Sequence, residues 1–324
     1  LFVISFGFFA GCVAAGLAYA FLARIVVPEN FGRFDELELT DLSDAEDEEW
    51  AAKLDIAREF ASDAGVFTVQ GGFKGRWRSK IYNGDIAFYE TDAITLADVL
   101  GEQTYRIIDI DPVASYTGAS NFFFANRDAF DFIEADSLFD SAVEDYSIDE
   151  DIYAAYALAR WDSDTLSVIG GLRWERTYND IRGNDVLLVE EDGTLPGGQT
   201  ATGDTVIVGP TRTTKRYNFF APSLNVRFEP EPDLVFRLAG YRSMVRPNFG
   251  QLAPRFATEQ NDDDEIEGEF GNPDLLPYKA WNFDASAEYY FSSNGAVTAA
   301  LFYKSIDNYI VDVEYNAEDL DGDG

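Results

Sequence analysis

Residues 215–245 read KRYNFFAPSLNVRFEPEPDLVFRLAGYRSMV, and apolar and polar side chains alternate through most of this stretch. Before the Pro230-Glu231-Pro232 turn, Leu224 and Val226 fall on one face, whereas Asn225 and Arg227 fall on the other. Alternation with a period of two is typical of a β-strand that has one face in an apolar medium and the other in a polar one. The stretch therefore predicts a β-hairpin with two chemically different faces.

The same alternation occurs elsewhere in the chain. A second hairpin follows a long acidic loop, and its two runs are joined by the short turn Ser292-Ser293-Asn294. Two more hairpins precede the stretch, with short turns at 62–64 and 162–164. Eight strands in four hairpins are thus predicted. Outside the opening stretch their runs are 49–60, 66–78, 151–161, 165–178, 279–291 and 297–307.

These strands favour a membrane barrel over a soluble β-sandwich. The polar faces carry Lys, Arg, Asp and Glu in mid-strand, and aromatic residues collect near the ends of the apolar faces. The runs reach about a dozen residues, whereas soluble strands average about 5–6 and a tilted membrane strand needs about 9–11. Short turns at one end and long loops at the other are typical of outer-membrane barrels. The predicted fold is all-β, an antiparallel transmembrane β-barrel.

The composition excludes several function classes. Lys plus Arg number 24 and Asp plus Glu number 59, so the net charge of −35 excludes nucleic-acid binding through a basic patch. The absence of histidine excludes Ser-His-Asp and Cys-His catalysis and imidazole metal sites, and the single cysteine, Cys12, allows no intrachain disulfide. No phosphate-binding glycine loop occurs. We therefore expect no enzyme activity, no cofactor and no metal site. The acidic loops are expected to serve solubility, with Ca²⁺ bridging their carboxylates as the alternative.

The first 30 residues break the pattern. Residues 1–23 carry no charge, so this apolar segment is open to three interpretations: a membrane helix, the remnant of a signal peptide, or an artefactual end. An acidic linker, 31–47, follows, and 48–324 is predicted to be the barrel. Long loops are expected at 81–150, 180–214 and 247–277, on the extracellular side.

Two segments near the end of the chain carry a family resemblance. The strand Tyr241-Arg242-Ser243-Met244-Val245 ends in Arg246-Pro247, and a loop then leads to Gly271-Asn272-Pro273-Asp274-Leu275-Leu276-Pro277. Both segments resemble those of TonB-dependent outer-membrane receptors, in which Gly-Asn-Pro-x-Leu-x-Pro leads into the next barrel strand. Leu276 departs from the family, where Lys is common. The motif residues with an expected structural role are Arg246, Pro247, Gly271, Asn272, Pro273, Leu275 and Pro277.

The resemblance, which covers 50–315, implies a barrel of about 22 strands in the outer membrane of a Gram-negative bacterium, plugged by an N-terminal domain. It also implies uptake of a scarce solute, energised by the TonB complex. Nothing in the chain resembles the plug or the segment that contacts TonB. The eight or nine predicted strands are therefore interpreted as part of a larger barrel in contact with outer-membrane lipid, and the chain alone is not expected to transport.

The loop 81–150 and the polar strand faces supply the candidate substrate contacts. Aromatic rings beside Asn and Asp suit sugar stacking, and the alternative is that these rings pack the loop against itself or the barrel rim. Inward arginines could receive an anion. The imported solute is predicted to be an oligosaccharide or a ferric siderophore. A passive porin-like channel and a surface-binding structural barrel remain alternatives. The candidate substrate-binding residues are Phe122, Phe123, Asn126, Asp128, Arg173 and Arg237.

Overall fold

A computed structural model describes residues 2–10, 21–24, 36–39, 43–101, 104–105, 108–109, 115–260 and 266–311. Its strands are β1 (Phe2–Ala10), β2 (Phe21–Arg24), β3 (Glu36–Leu39), β4 (Asp44–Ser62), β5 (Gly65–Asn83), β6 (Ala87–Glu90), β7 (Thr104–Tyr105), β8 (Ile108–Asp109), β9 (Asp131–Ile133), β10 (Tyr146–Asp162), β11 (Leu166–Val189), β12 (Thr205–Glu231), β13 (Leu234–Val245), β14 (Phe256–Gln260), β15 (Ile266–Phe270), β16 (Tyr278–Ser292) and β17 (Gly295–Asp307). The helices are α1 (Tyr116–Ala125), α2 (Glu134–Glu144), α3 (Phe249–Leu252) and two short 3₁₀ turns, Leu96–Val99 and Arg127–Ala129.

All eight strands expected from the sequence are present, and they form one continuous antiparallel sheet. Its order is β1-β4-β5-β10-β11-β12-β13-β16-β17, so the eight strands lie side by side in chain order. Their lengths run from 12 residues in β13 to 27 in β12, which confirms the predicted membrane-spanning lengths. The short turns lie at one end of the sheet, the short-turn end, and the long connections lie at the other, the long-loop end.

The register keeps the two faces chemically separate across the sheet. Directly paired residues share a face, so the pairs Leu54↔Phe73, Leu172↔Pro222 and Ala285↔Leu301 build one apolar face. This face is open to its surroundings: Phe73 is 68% exposed and Leu301 is 78% exposed. We call it the outer face, because its exposed apolar surface contacts lipid in a membrane barrel. The polar face is the inner face.

Aromatic residues mark both ends of the apolar band. At the long-loop end Trp50 pairs with Trp77, and at the short-turn end Phe60 pairs with Phe67. Ten residues of strand separate the two rows. At about 3.3 Å per residue and a tilt of about 40°, the band is about 25 Å tall, which is the height expected of a barrel's membrane-facing surface.

The connection between β5 and β10 folds into a small unit, residues 84–101 and 115–145, which we call the loop subdomain. Its strands β6 and β9 join β2 and β3 in a four-stranded sheet of order β2-β3-β6-β9, and α1 packs on this sheet through Phe123, which contacts Leu37, Leu39 and Tyr89. Helix α2 packs on the extensions of β11 and β12 beyond the membrane. Those extensions pair from Asp180↔Thr214 to Val189↔Thr205, so most of the range assigned to the 180–214 loop is strand.

The N-terminal segment does not form the continuous helix that one of its three interpretations requires. A continuous helix over the apolar residues is wrong, because Phe2–Ala10 forms β1 against β4 and Phe21–Arg24 forms β2 against β3. Residues 11–20 and 25–35 lie outside the described part. The 31–47 range includes β3 and the first residues of β4, which begins at Asp44. Among the described helices, none combines the length and the apolar character needed to cross a membrane.

Candidate functional site

The long-loop end of the inner face is built around a buried carboxylate. Glu150 of β10 is only 2% exposed. The Arg76 guanidinium of β5 pairs with it from one side, and Arg246 Nε lies 3.6 Å from its Oε1 on the other. A carboxylate buried in this way persists only when cations compensate its charge. Glu150 therefore lies between two arginines, of which Arg76 belongs to the wall and Arg246 follows β13.

Arg246 extends the ion pairs to a third strand. Its Nη2 lies 2.8 Å from Glu175 Oε2 and donates to Thr177 Oγ1 at 3.2 Å, both on β11. Arg173 Nε donates to the other Glu175 oxygen at 2.7 Å. The result is a connected chain of charges across β5, β10 and β11. Arg246, expected to be a structural motif residue, is the link that ties its loop to the wall.

After Arg246 the chain lies across the inner face, and we call residues 246–255 and 270–277 the inner strap. Its helix α3 places Leu252 against Ile148 and Ile181, which are inner-face residues of β10 and β11. The guanidinium of Arg78 on β5 lies 4.8 Å from the centre of the Phe249 ring. The strap therefore covers several strands other than the two it connects.

The Gly-Asn-Pro segment forms the other half of the strap. A Cβ on Gly271 would lie 2.1 Å from the Ala253 carbonyl oxygen, so only glycine fits this contact. The Gly271 amide donates to the Arg255 carbonyl at 2.7 Å, and that of Asn272 donates to Gln251 at 3.1 Å. The motif residues thus bring the two halves of the strap together, which explains why this segment needs its small and turn-forming residues.

Lys215 of β12 fixes this segment to the wall. Its Nζ donates to the carbonyl oxygens of Pro273 at 3.2 Å and Leu275 at 3.1 Å, and lies 3.4 Å from an oxygen of Asp274. A cation that satisfies two backbone carbonyls at once holds a loop more firmly than a neutral donor would. Pro277, at the end of the segment, is fully buried.

The loop-subdomain candidates have separate positions. Phe123 is 0% exposed, and its ring contacts those of Tyr89 at 5.1 Å and Phe130 at 5.0 Å, so it is a core residue of the subdomain. Phe122 is half-buried beside it. Asn126 donates through Nδ2 to the Phe122 carbonyl at 2.9 Å and so closes the end of α1. Asp128 is exposed in the following 3₁₀ turn.

The two candidate arginines lie on the inner face, as expected, but at different heights. Arg173 belongs to the ion pairs around Glu175, whereas Arg237 lies near the short-turn end with its Nε 2.9 Å from Glu288 Oε1. The register places Arg237 opposite Arg227, which is six residues along β12 from the partner of Arg173. At about 3.3 Å per residue these positions are about 20 Å apart. The structure therefore does not bring them into one site.

Acidic groups collect where the loop subdomain meets the extended strands. Burial in α2, reinforced by the nearby carboxylates of Glu259 and Glu38, raises the pKa of Asp140 to about 6. Burial also raises the pKa of Asp136 and of Asp145. Within the described ranges, no group of three or more His, Cys, Asp or Glu side chains is arranged to hold a metal ion.

Sequence reasoning missed the residues that hold the strap. Glu150 was included in an acidic loop, although its position continues the inner face of β10, and Lys215 was noted simply as the start of a strand. Mid-strand charges of both signs on the polar faces were the available signal. They identify inward positions but cannot identify partners, because Glu150 and Arg246 are far apart in the sequence, with β11, β12 and β13 between them.

Comparison with known proteins gives a family match. The family model described as the TonB-dependent receptor-like β-barrel matches residues 16–321. None of the curated proteins compared with the chain matches it in sequence.

Solved receptors show a distant likeness. The ferric-catecholate import receptor Fiu of E. coli K12 is 15% identical, with a TM-score of 0.48, over 85% of this chain and 33% of the receptor. The siderophore receptor PiuA of Acinetobacter baumannii is 10% identical, with a TM-score of 0.43, over 82% and 33%. The hemophore receptor HasR of Serratia marcescens is 13% identical, with a TM-score of 0.37, over 85% and 43%.

The chain therefore spans about a third of the length of the first two receptors. The family match covers nearly the whole chain, and the matched region includes the eight-stranded wall and both halves of the inner strap. The chain belongs to the TonB-dependent receptor-like β-barrel family.

Proposed function

We propose that this chain forms part of the wall of an outer-membrane receptor that imports a neutral, polar solute, with oligosaccharides as the first candidates. The solute passes inside the wall, along the inner face, and the TonB complex supplies the energy through a plug domain. The long-loop end lies outside the cell. In this role the protein is a transporter, with no catalytic step.

The choice of a neutral solute rests on how the charges of the inner face are paired. Every arginine on the inner face of the described strands, together with Arg246, lies within 4.0 Å of a carboxylate oxygen. An anionic ferric siderophore would have to displace a carboxylate in order to bind any of these arginines, and the chain's net charge of −35 opposes its approach. A polyhydroxylated solute can instead exchange hydrogen bonds with paired charges without separating them.

The loop subdomain offers stacking surfaces for such a solute. Phe124 is 59% exposed and Phe132 is 52% exposed, and both rings rest on the buried cluster: Phe124 contacts Phe123 at 5.2 Å, and Phe132 contacts Tyr89 at 5.4 Å. Exposed rings held by a fixed core lose little conformational freedom when they bind. We therefore assign solute contact to Phe124 and Phe132, with Phe123 as their support and Asp128 as a nearby hydrogen-bonding group.

The test is growth of the host. A strain lacking the gene is grown on individual glycans as sole carbon source and, separately, under iron limitation. We expect a growth defect on a particular glycan, and we expect the wild-type gene to restore growth. A gene that combines Phe124→Ala and Phe132→Ala should lower the uptake affinity about tenfold. A defect confined to iron limitation would instead establish an iron carrier as the solute. Uptake that persists after the TonB complex is removed would establish a passive channel.

A further inference from the structure

The outer faces of β11 and β12 carry a concentration of arginine at the long-loop end. The side chains at even-numbered positions of both strands share the outer face with Leu172 and Leu224. In the register Arg182 pairs with Arg212, Tyr178 pairs with Arg216, and Arg176 pairs with Asn218. We call Arg176, Arg182, Arg212 and Arg216 the arginine patch.

The patch lies immediately beyond the aromatic end of the apolar band. Trp174 Nε1 donates to Asn218 Oδ1 at 3.2 Å, and the Arg176 guanidinium lies 4.9 Å from the centre of the Tyr178 ring. Aromatic rings with one polar edge settle at the boundary between hydrocarbon and headgroups. Arg176 and Arg216 are therefore at the depth of the lipid headgroups, on the surface that faces lipid. Arg182 and Arg212 lie farther along the same face, at the start of the strand extensions.

The charge of the patch is only partly compensated within the described protein. Asp180 serves both Arg182, at 2.9 Å, and Arg212, at 2.5 Å, while Asp149 lies 3.6 Å from Arg182. Arg176 and Arg216 have no carboxylate within 4.0 Å in the described ranges, and Asp151 of β10 pairs directly with Tyr178 rather than with an arginine.

The arrangement also has a cost. Arg182 and Arg212 stand directly opposite each other and share the single carboxylate of Asp180, which offsets only part of the repulsion between like charges in such a pair. Four arginines on one hairpin face are a large share for a chain that has 24 basic residues against 59 acidic ones. An external anion would offset both the repulsion and the unpaired charge.

We propose that the arginine patch binds phosphate groups of lipid headgroups at the long-loop boundary of the membrane. Arginine suits this ligand because its planar guanidinium donates two parallel hydrogen bonds to one phosphate. Arg212 and Arg216 lie four residues apart on one strand, about 13 Å, so the patch has room for more than one phosphate. In the orientation proposed above, this boundary is the outer leaflet.

The experiment uses the intact protein, purified from its membrane in neutral detergent and titrated with phosphatidic acid or phosphatidylcholine, with bound lipid counted by native mass spectrometry. We expect preferential binding of phosphatidic acid. At about fivefold per arginine, the paired substitutions Arg212→Gln and Arg216→Gln weaken this binding about 25-fold. The control Arg58→Gln lies on the outer face at the short-turn end, beside Phe60, and leaves the binding unchanged.

Two further measurements separate the outcomes. Arg176→Gln touches no ion pair, so its expected fivefold loss tests the patch even if the double variant fails to fold. Inorganic phosphate alone is titrated as a competitor. Equal binding of phosphatidic acid by the wild type and by a folded patch variant would overturn the proposal, as would inorganic phosphate that displaces the lipid at equal concentration.

Discussion

Arg246 Nη2 lies 2.8 Å from Glu175 Oε2, and through this pair the residue that follows β13 is joined to a strand two places away in the sheet. The same guanidinium approaches Glu150, which also pairs with Arg76. One arginine therefore connects the inner strap to β10 and β11. The stability of the strap depends on a few buried charges.

The first prediction concerns Glu150. Replacing Glu150 by Gln leaves Arg76 and Arg246 without their shared counter-charge in a buried setting. Breaking a buried pair in this way costs about 3 kcal/mol or more. Thermal unfolding in detergent is expected to show the loss. The matched control is Asp162→Asn, which breaks the exposed pair with Arg160 and costs less than about 1 kcal/mol. Equal losses in both variants would contradict the assigned role of the buried carboxylate.

The second prediction concerns Gly271. The Cβ of Gly271→Ala would meet the Ala253 carbonyl oxygen, so the two halves of the strap must separate, at a cost of about 1–3 kcal/mol. Limited proteolysis is expected to cut the strap faster in this variant. Gly203→Ala is the control, because nothing lies within 4 Å of its Cβ position. A strap as resistant as that of the wild type would show that the backbone contact is not tight in solution.

The third prediction concerns Lys215. Lys215→Met keeps much of the side-chain volume but removes the donor to the carbonyls of Pro273 and Leu275. Hydrogen bonds to a charged group contribute about 1.5–3 kcal/mol, so the strap amides should exchange at least tenfold faster. Hydrogen-exchange mass spectrometry of the peptide spanning 271–277 measures this. Lys304→Met, on the inner face of β17, should leave that peptide unchanged.

The fourth prediction concerns pH. Because the pKa of Asp140 is raised to about 6 in the folded protein, against about 3.9 in an unfolded chain, the folded state binds more protons between these values. Stability therefore falls as pH rises from about 4 to 6 and stays lower above that. With allowance for solvent screening, Asp140→Asn should add about 1–2 kcal/mol at pH 7 and nothing at pH 4.

Unfolding of the Asp140→Asn variant is best followed with a probe in the loop subdomain, since α2 packs there. The exposed Asp128→Asn serves as the control for a carboxylate lost from the same unit. A stabilisation of Asp140→Asn that is as large at pH 4 as at pH 7 would exclude the proton-linked explanation.

The wall could be predicted from the sequence because it depends on local patterns. Alternation in runs such as 215–228 specifies both the strand and its two faces, and tight turns such as Ser292-Ser293-Asn294 join neighbouring strands. The same alternation predicts that Arg173 and Arg237 lie on the inner face. The extension of β11 to Val189 was missed, because its residues Val186, Leu187 and Leu188 form a continuous apolar run covered by α2.

The contacts of the site could be predicted less well from the sequence, because they join segments that are far apart in the chain. Phe123 and Asn126 were recognised as chemically suitable, but the pattern could not show that one is a core residue and the other closes a helix. The helical interpretation of the N-terminal segment was wrong for Phe2–Ala10, because uniform apolarity carries no period that separates a helix from a strand.

The position of the inner strap has a consequence for the order of folding. Each wall hairpin closes between near neighbours in sequence, whereas Arg246 is 71 residues from Glu175. Loop-closure entropy delays such distant contacts until the intervening strands are in place. Glu150 and Glu175 therefore pair with Arg246 only after the sheet has formed. Docking of Arg246 is then a late step, and kinetic measurements should resolve it as a phase that Arg246→Gln removes without slowing formation of the hairpins.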